Sequence, residues 1–278
     1  MNALTKFTVL IVALITTSVI AQDFQGVATY KTHRKLELKL DSTQMGGEMY
    51  ERMMASLKKQ FEKTYKLTFS KNESLYKEEE QLESPQPQGM QIVVAQVGGS
   101  DLLYKNTQEG RYVNQNDSFG KMFLIQDKIE KLDWQLGSET KNIGDYTCYK
   151  ATLKREREVR ESGVSINGDK EFDDTPKMEE YEVVAWYTPQ IPVNNGPEEF
   201  HGLPGLILEI NDGSQSIMCS KIVLNPSEKV KIVEPTKGKK ISQEEYDEIM
   251  EKKMKEMRER YRHDREGDGQ SFEIRIGG

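Results

Sequence analysis

Two hydrophobic periods alternate along this chain, one of two residues and one of three to four. From Gly26 to Leu40 the period is two: Val27, Thr29 and Lys31 share one phase, and Leu36, Leu38 and Leu40 one face. That is the pattern of one or two half-buried strands. Gly46-Gly47 interrupts it. Tyr50, Met53, Met54, Leu57 and Phe61 then recur at i, i+3, i+4, i+7 and i+11, which predicts an amphipathic helix with Lys58, Lys59, Glu62 and Lys63 on its other face. Period two returns at Tyr65–Phe69, turns at Lys71-Asn72-Glu73 and starts back at Ser74, a hairpin. Further strands are predicted over 90–97, 101–105, 111–113 and 121–125, up to 136, over 146–154 and over 182–187.

Two stretches break this rhythm. Residues 155–180 are charged and polar, with Gly163, Gly168 and Pro176. They read as a flexible charged insertion or an exposed hairpin tip, because too little apolar surface is present to offset the entropy of ordering them. Near the end, Ser242-Gln243-Glu244-Glu245 is a capping box. Tyr246, Ile249, Met250, Met254, Met257 and Tyr261 follow at helical spacing, predicting a helix over 242–262 with a narrow apolar face. Phe272, Ile274 and Ile276 alternate as a last strand. Roughly ten short strands with two helices give an α+β fold. The expected architecture is a mainly antiparallel, strongly curved sheet, at the extreme a half-barrel, packed with two amphipathic helices.

The first residues have a different character. A short basic end at Lys6 precedes the apolar run Phe7–Ile15, and Val19-Ile20-Ala21 supplies the small or neutral residues of a cleavage site. The run is far shorter than the ~20 residues of a spanning helix, so residues 1–21 read as an export signal, leaving a single domain over 22–278. The expected compartment is the periplasm, the periphery of an outer membrane or the exterior, and the processed chain is not expected to span a membrane. Net charge is −7, which offers no positive field for nucleic acid. The chain has two cysteines, Cys148 and Cys219, both in strand-like segments. An oxidising compartment makes them a candidate disulfide, with two small buried hydrophobes as the alternative.

Candidate chemistry is sparse. His33, His201 and His263 lie far apart without ligand spacing, and no H-E-x-x-H, G-x-S-x-G or phosphate-binding loop is present. No cofactor and no metal site is expected. Met45, Met49 and Met53 recur at i, i+4, i+8. Met49, Met53, Leu57 and Phe61 form a candidate apolar ligand face, although such stripes more often fill a core.

One segment stands out by its turn chemistry. In Phe200-His201-Gly202-Leu203-Pro204-Gly205-Leu206-Ile207, Pro204-Gly205 suits a type II turn, with Gly205 taking the positive φ and Gly202 permitting a close backbone approach. Leu206, Leu208 and Ile210 then share a strand face. Upstream, Trp186 and Tyr187 lead into Pro189, Pro192, Gly196 and Pro197, whose prolines deny ladder donors and predict an ordered rim connection. Together with Trp134 and Ile143–Thr152, these blocks resemble the GLPGLI family of secreted bacterial proteins. The resemblance implies export and this strand-and-rim architecture, and it implies no established activity. The expected function is therefore non-enzymatic binding of a hydrophobic ligand, lipid or protein partner. The alternative is an accessory subunit of an outer-membrane complex, and a hydrolase working near His201 and Glu209 ranks third.

Overall fold

A computed structural model describes residues 24–35, 62–79, 102–159 and 177–265, together with positions 47, 51 and 55. The strands are β1 (Gln25–Arg34), β2 (Thr64–Ser70), β3 (Glu73–Glu78), β4 (Leu102–Asn106), β5 (Arg111–Ser118) and β6 (Lys121–Lys128). They continue with β7 (Gln135–Ile143), β8 (Tyr146–Val159), β9 (Lys177–Thr188), β10 (Leu206–Asn211), β11 (Gln215–Leu224) and β12 (Lys239–Ile241). The helix α1 (Gln243–Arg265) follows. All twelve strands of the described residues belong to one sheet, in the order β12-β6-β5-β4-β3-β2-β1-β11-β10-β9-β8-β7. Two up-and-down runs, β1 to β6 and β7 to β11, meet where β1 lies antiparallel to β11. The β12–β6 pair is parallel, so the sheet is mixed.

Register decides which residues share a face, because directly opposed residues point the same way. Ala28 opposes Leu67, which opposes Tyr76 and so stands beside Leu103. One strand-step along, Phe69 opposes Ser74, Ser74 opposes Lys105 and Lys105 opposes Tyr112. This face carries the main core, where Ala28, Tyr30, Leu67 and Phe69 are fully buried. Each large apolar side chain removed from water there contributes about 1.5–3 kcal/mol. On the opposite face Tyr104, Val113 and Leu124 form a smaller cluster with Leu75, and Ile232 of the segment before β12 covers it.

The expected architecture needs correction. The chain forms one large open sheet, antiparallel in every pair except β12–β6, rather than a half-barrel packed with two amphipathic helices. Among the described residues α1 is the only helix packed on it, and it docks at one end, on Tyr112, Phe123, Ile125 and Ile241. The apolar residues of the predicted helix, Tyr50, Met53, Met54, Leu57 and Phe61, lie outside the described residues, as do the predicted strands over 90–97 and 272–276, while positions 47, 51 and 55 are helical. The cover expected from a helix comes instead from irregular chain. The connection between β9 and β10 inserts Ile191, Val193, Phe200 and Leu203 into the main core. Such a segment has no period to count, since each side chain is aimed by its own local turn.

The charged stretch also differs from its reading. Residues 155–159 and 177–180 extend β8 and β9 as paired strands, with Arg155 opposite Tyr181 and Arg157 opposite Glu179. Cross-strand pairs replace the missing apolar surface: Arg157 bonds Glu179 at 3.4 Å and lies over the Tyr181 ring at 5.0 Å. Residues 160–176 lie outside the described residues.

Candidate functional site

The β9–β10 connection is held from several sides by single side chains. Lys105, on β4, is 2% exposed. Its Nζ donates to the carbonyls of Gly196 (3.0 Å), Glu198 (2.6 Å) and Phe200 (3.2 Å). Three acceptors match the three hydrogens of an ammonium and no other basic side chain so compactly. Burial meanwhile drags the Lys105 pKa down to about 7, so this ammonium gives up its proton far more readily than a surface lysine. From the other side, Trp134 Nε1 donates to the His201 carbonyl at 2.7 Å. Asn194 Oδ1 accepts from the Gly202 amide. Leu206 N donates to Ile191 O (2.9 Å) and Ile207 N to Asn195 O (3.0 Å), which ties the connection to the start of β10.

The two motif glycines exchange the roles expected from the sequence. Gly202 carries the positive φ, 94°, and a Cβ there would only touch Trp134 at 3.5 Å. Gly205 needs the space instead: a Cβ would lie 2.2 Å from Thr188 O. The Gly205 amide donates to Leu203 O at 2.8 Å, a γ-type turn about Pro204 rather than a type II turn. Gly196 is also pressed close, with Ile207 2.8 Å from where its Cβ would be.

Several titratable groups gather on this connection without converging as a catalytic set. Glu198 sits at φ 49°, a strained value for a residue with a Cβ. Burial first, and the neighbouring Glu199 second, raise its carboxyl to about 8, and Gln215 Nε2 donates to it at 3.2 Å. Glu199 pairs with Arg155 at 2.9 Å. Burial lowers the His201 pKa, and its Nδ1 lies 2.8 Å from Glu199 O. Glu209 bonds Lys141 at 2.7 Å, and that lysine lies 4.4 Å from the centroid of Trp186. His201 and Glu209 are thus engaged in separate contacts. Tyr187 is buried in the main core, and Pro189 and Pro192 are exposed at the rim while Pro197 is buried.

Cys148 and Cys219 are both free and buried. The candidate bond is absent here, the two residues lie as small buried groups, and strand order separates them. Cys148 lies on β8 and Cys219 on β11, with β9 and β10 between them. Three strand spacings of about 4.8 Å far exceed the ~6 Å between bonded Cα atoms. Burial pushes the two thiols up to about 11 and about 12, which keeps them unreactive. No group of three His, Cys, Asp or Glu among the described residues is placed to hold a metal ion. No helix among them is long and apolar enough to cross a membrane.

The same covered face is closed differently at its β12 end. Tyr246, Ile249 and Met250 of α1 dock on Phe123, Ile125 and Ile241. The Tyr246 ring meets Phe123 edge-on at 5.6 Å, and its hydroxyl lies 2.8 Å from Ser118 Oγ and 3.2 Å from Asn116 Oδ1. The capping box forms as read: Glu245 N donates to Ser242 Oγ and Ser242 N to Glu245 Oε2, both at 3.1 Å. Beside this anchor a cleft of about 380 Å³ lies between α1 and the sheet. Phe119, Phe123, Ile249 and Met257 line it, together with Lys121, Lys239, Lys253 and Arg260, and most of the lining surface is apolar. Glu256 is its one acid, and Lys253 binds it at 2.6 Å.

Phe119 occupies an unusual place. With Gly120 it forms the two-residue turn between β5 and β6, and both have positive φ, 54° and 69°. Such a type I′ turn ordinarily takes Asn-Gly. A bulky residue in that conformation costs about 1–2 kcal/mol, yet here an aromatic ring, 44% exposed, is held at the cleft.

Neither Lys105 nor Phe119 was singled out by sequence. A signal exists for each: Lys105 falls in phase with Leu103 on a short strand, and Phe119 sits where a turn residue belongs. The proposed ligand face of Met49, Met53, Leu57 and Phe61 lies outside the described residues.

Residues 134–209 match a family model described as a protein of unknown function, Porph_ging. The match begins at Trp134 and ends at Glu209, so it takes in β7 to β9, the whole stapled connection and most of β10. Two crystal forms of PNGF-II are similar at 12% and 13% identity, each with a TM-score of 0.46. The likeness covers 82% and 81% of this chain but 32% and 33% of theirs, so the chain spans about a third of their length. No curated protein matches this chain.

Proposed function

We propose that this is an exported protein of the GLPGLI type that binds an apolar or amphipathic ligand in the cleft between α1 and the β5–β6 turn. The observation that carries the reading is Phe119, an exposed aromatic held in a strained turn at the wall of a 380 Å³ cleft. Strain of that kind persists where a function uses it, and the volume lies within the ~300–1,000 Å³ of small-ligand sites. The stapled connection is then scaffold: its buried lysine, glycines and tryptophan fix the sheet on which the cleft is built. The GLPGLI assignment rests on Phe200–Ile207 and the blocks upstream of it, and export rests on the pattern of residues 1–21.

Native mass spectrometry of the protein recovered from its own host without detergent tests both parts. The expected chain begins at Gln22 and carries a small ligand that is lost on denaturation. A chain still bearing Met1–Ala21 overturns export. A bare chain that also takes up no twelve-carbon probe of any head group overturns binding.

A further inference from the structure

The cleft is not uniformly apolar, and its charge names the ligand's other end. Lys121 and Lys239 line it with no ion pair among the described residues, and Arg260 lies close enough to Glu256 to favour its ionised form. Lys253 already satisfies Glu256, the one acid among the described lining residues. Among the described lining residues four cations stand against one carboxylate, so the rim of a mostly apolar cleft carries net positive charge. This happens on a protein whose net charge is −7, so the local sign is opposite to the global one. An anionic head group would pair with these cations where a neutral one would not.

We infer that the cleft takes a single-chain anionic amphiphile, a fatty-acid carboxylate, with its chain on the Phe119 side and its head group between Lys121, Lys239 and Arg260. This rests on the binding reading above and goes beyond it in fixing chain number and charge. A volume of 380 Å³ is small for a drug-sized site and holds one acyl chain rather than the two of a membrane phospholipid. Guanidinium and ammonium groups together recognise a carboxylate by charge-assisted bonds.

Isothermal titration of the full processed chain with dodecanoate, dodecanol and dodecyltrimethylammonium, each below its micelle concentration, tests the assignment. Dodecanoate is expected to bind at least about tenfold more tightly than dodecanol, with the cationic probe weakest. Its affinity should fall as salt is raised from 0.05 to 0.5 M, roughly the range over which screening of exposed charges becomes complete. Lys121→Glu with Lys239→Glu should cost dodecanoate about tenfold or more and cost dodecanol far less. Phe119→Asn, which suits the turn and so keeps the hairpin, should weaken both probes. Equal binding of dodecanoate and dodecanol overturns the anionic assignment and leaves the apolar site standing. Binding of none of the three overturns both. Binding that appears only when the chain is ended at Arg265 places the protein's own last residues in the cleft and overturns the inference. Preference for a two-chain phosphatidic acid in vesicles over dodecanoate overturns the single-chain assignment.

Discussion

The two ends of one sheet face are finished in opposite ways. Over β1 to β4 and β8 to β11, the β9–β10 connection seals the face with Ile191, Val193, Phe200 and Leu203, and buries Lys105 to do so. Over β5, β6 and β12, α1 covers part of the face and leaves a basic, aromatic-walled cleft. Strain is present at both ends but differs in use. Glu198 is strained where its carbonyl must face the lysine, whereas Phe119 is strained where its ring faces open space. The signature segment of the sequence is thus the sealed end, which argues for architecture there and for ligand chemistry elsewhere.

The sharpest way to break this contrast is Lys105→Met. It keeps the chain length but leaves three carbonyls without their donor, and a loss of about 3 kcal/mol or more is expected in denaturant unfolding. A loss below about 1 kcal/mol would show the lysine inessential to the seal. Gly205→Ala comes next. Its Cβ must displace the Thr188 carbonyl, so about 2–3 kcal/mol is expected, against about 1 kcal/mol for Gly202→Ala, where only the positive φ is strained. The reverse ranking in thermal unfolding would restore the type II turn that the sequence suggested.

A pH test sharpens the same end. The Glu198 carboxyl has a folded pKa raised from 4.5 to about 8 by burial. The folded state therefore binds the extra proton between those values, and stability falls as pH rises through that window. Glu198→Gln removes the effect, so its melting temperature should gain on the parent between pH 5 and pH 9. Parallel melting curves for the two proteins over that range would mean the carboxyl is not sunk. The smallest effect belongs to the open end. Phe119→Asn should raise stability by about 0.5–1 kcal/mol by relieving the turn, while apolar probes bind less well. A variant that is less stable than the parent would make Phe119 a packing residue and remove it from the cleft.

Strand periodicity carried most of the sheet. β1 to β6 and β8 to β11 each begin or run where alternation, β-branched residues and turn chemistry place them, and the capping box at Ser242 marks the start of α1 within a residue. What pattern could not show was pairing across long sequence distance. The cover from 189–205 is placed by contacts to β4, about 90 residues upstream (Lys105 to Glu198 is 93 residues). The cysteines read as bondable because each lies in a strand, but strand order, not strand content, separates them. Arg155 and Arg157 looked like solvated charge because their partners, Glu199, Phe200, Glu179 and Tyr181, come from elsewhere in the chain. At the cleft, the useful signal was a residue that breaks a local rule: Phe119 in a position that favours asparagine.

The seam between β1 and β11 has a kinetic consequence. Each up-and-down run can assemble from neighbours in sequence, but the seam joins Thr29 to Ser220, 191 residues apart. Closing so long a loop is slow and comes late. Until it closes, β1 and β11 each present an unpaired edge, the surface on which chains associate wrongly. Conditions that slow this one closure should therefore lower refolding yield more than they lower the stability of the finished protein.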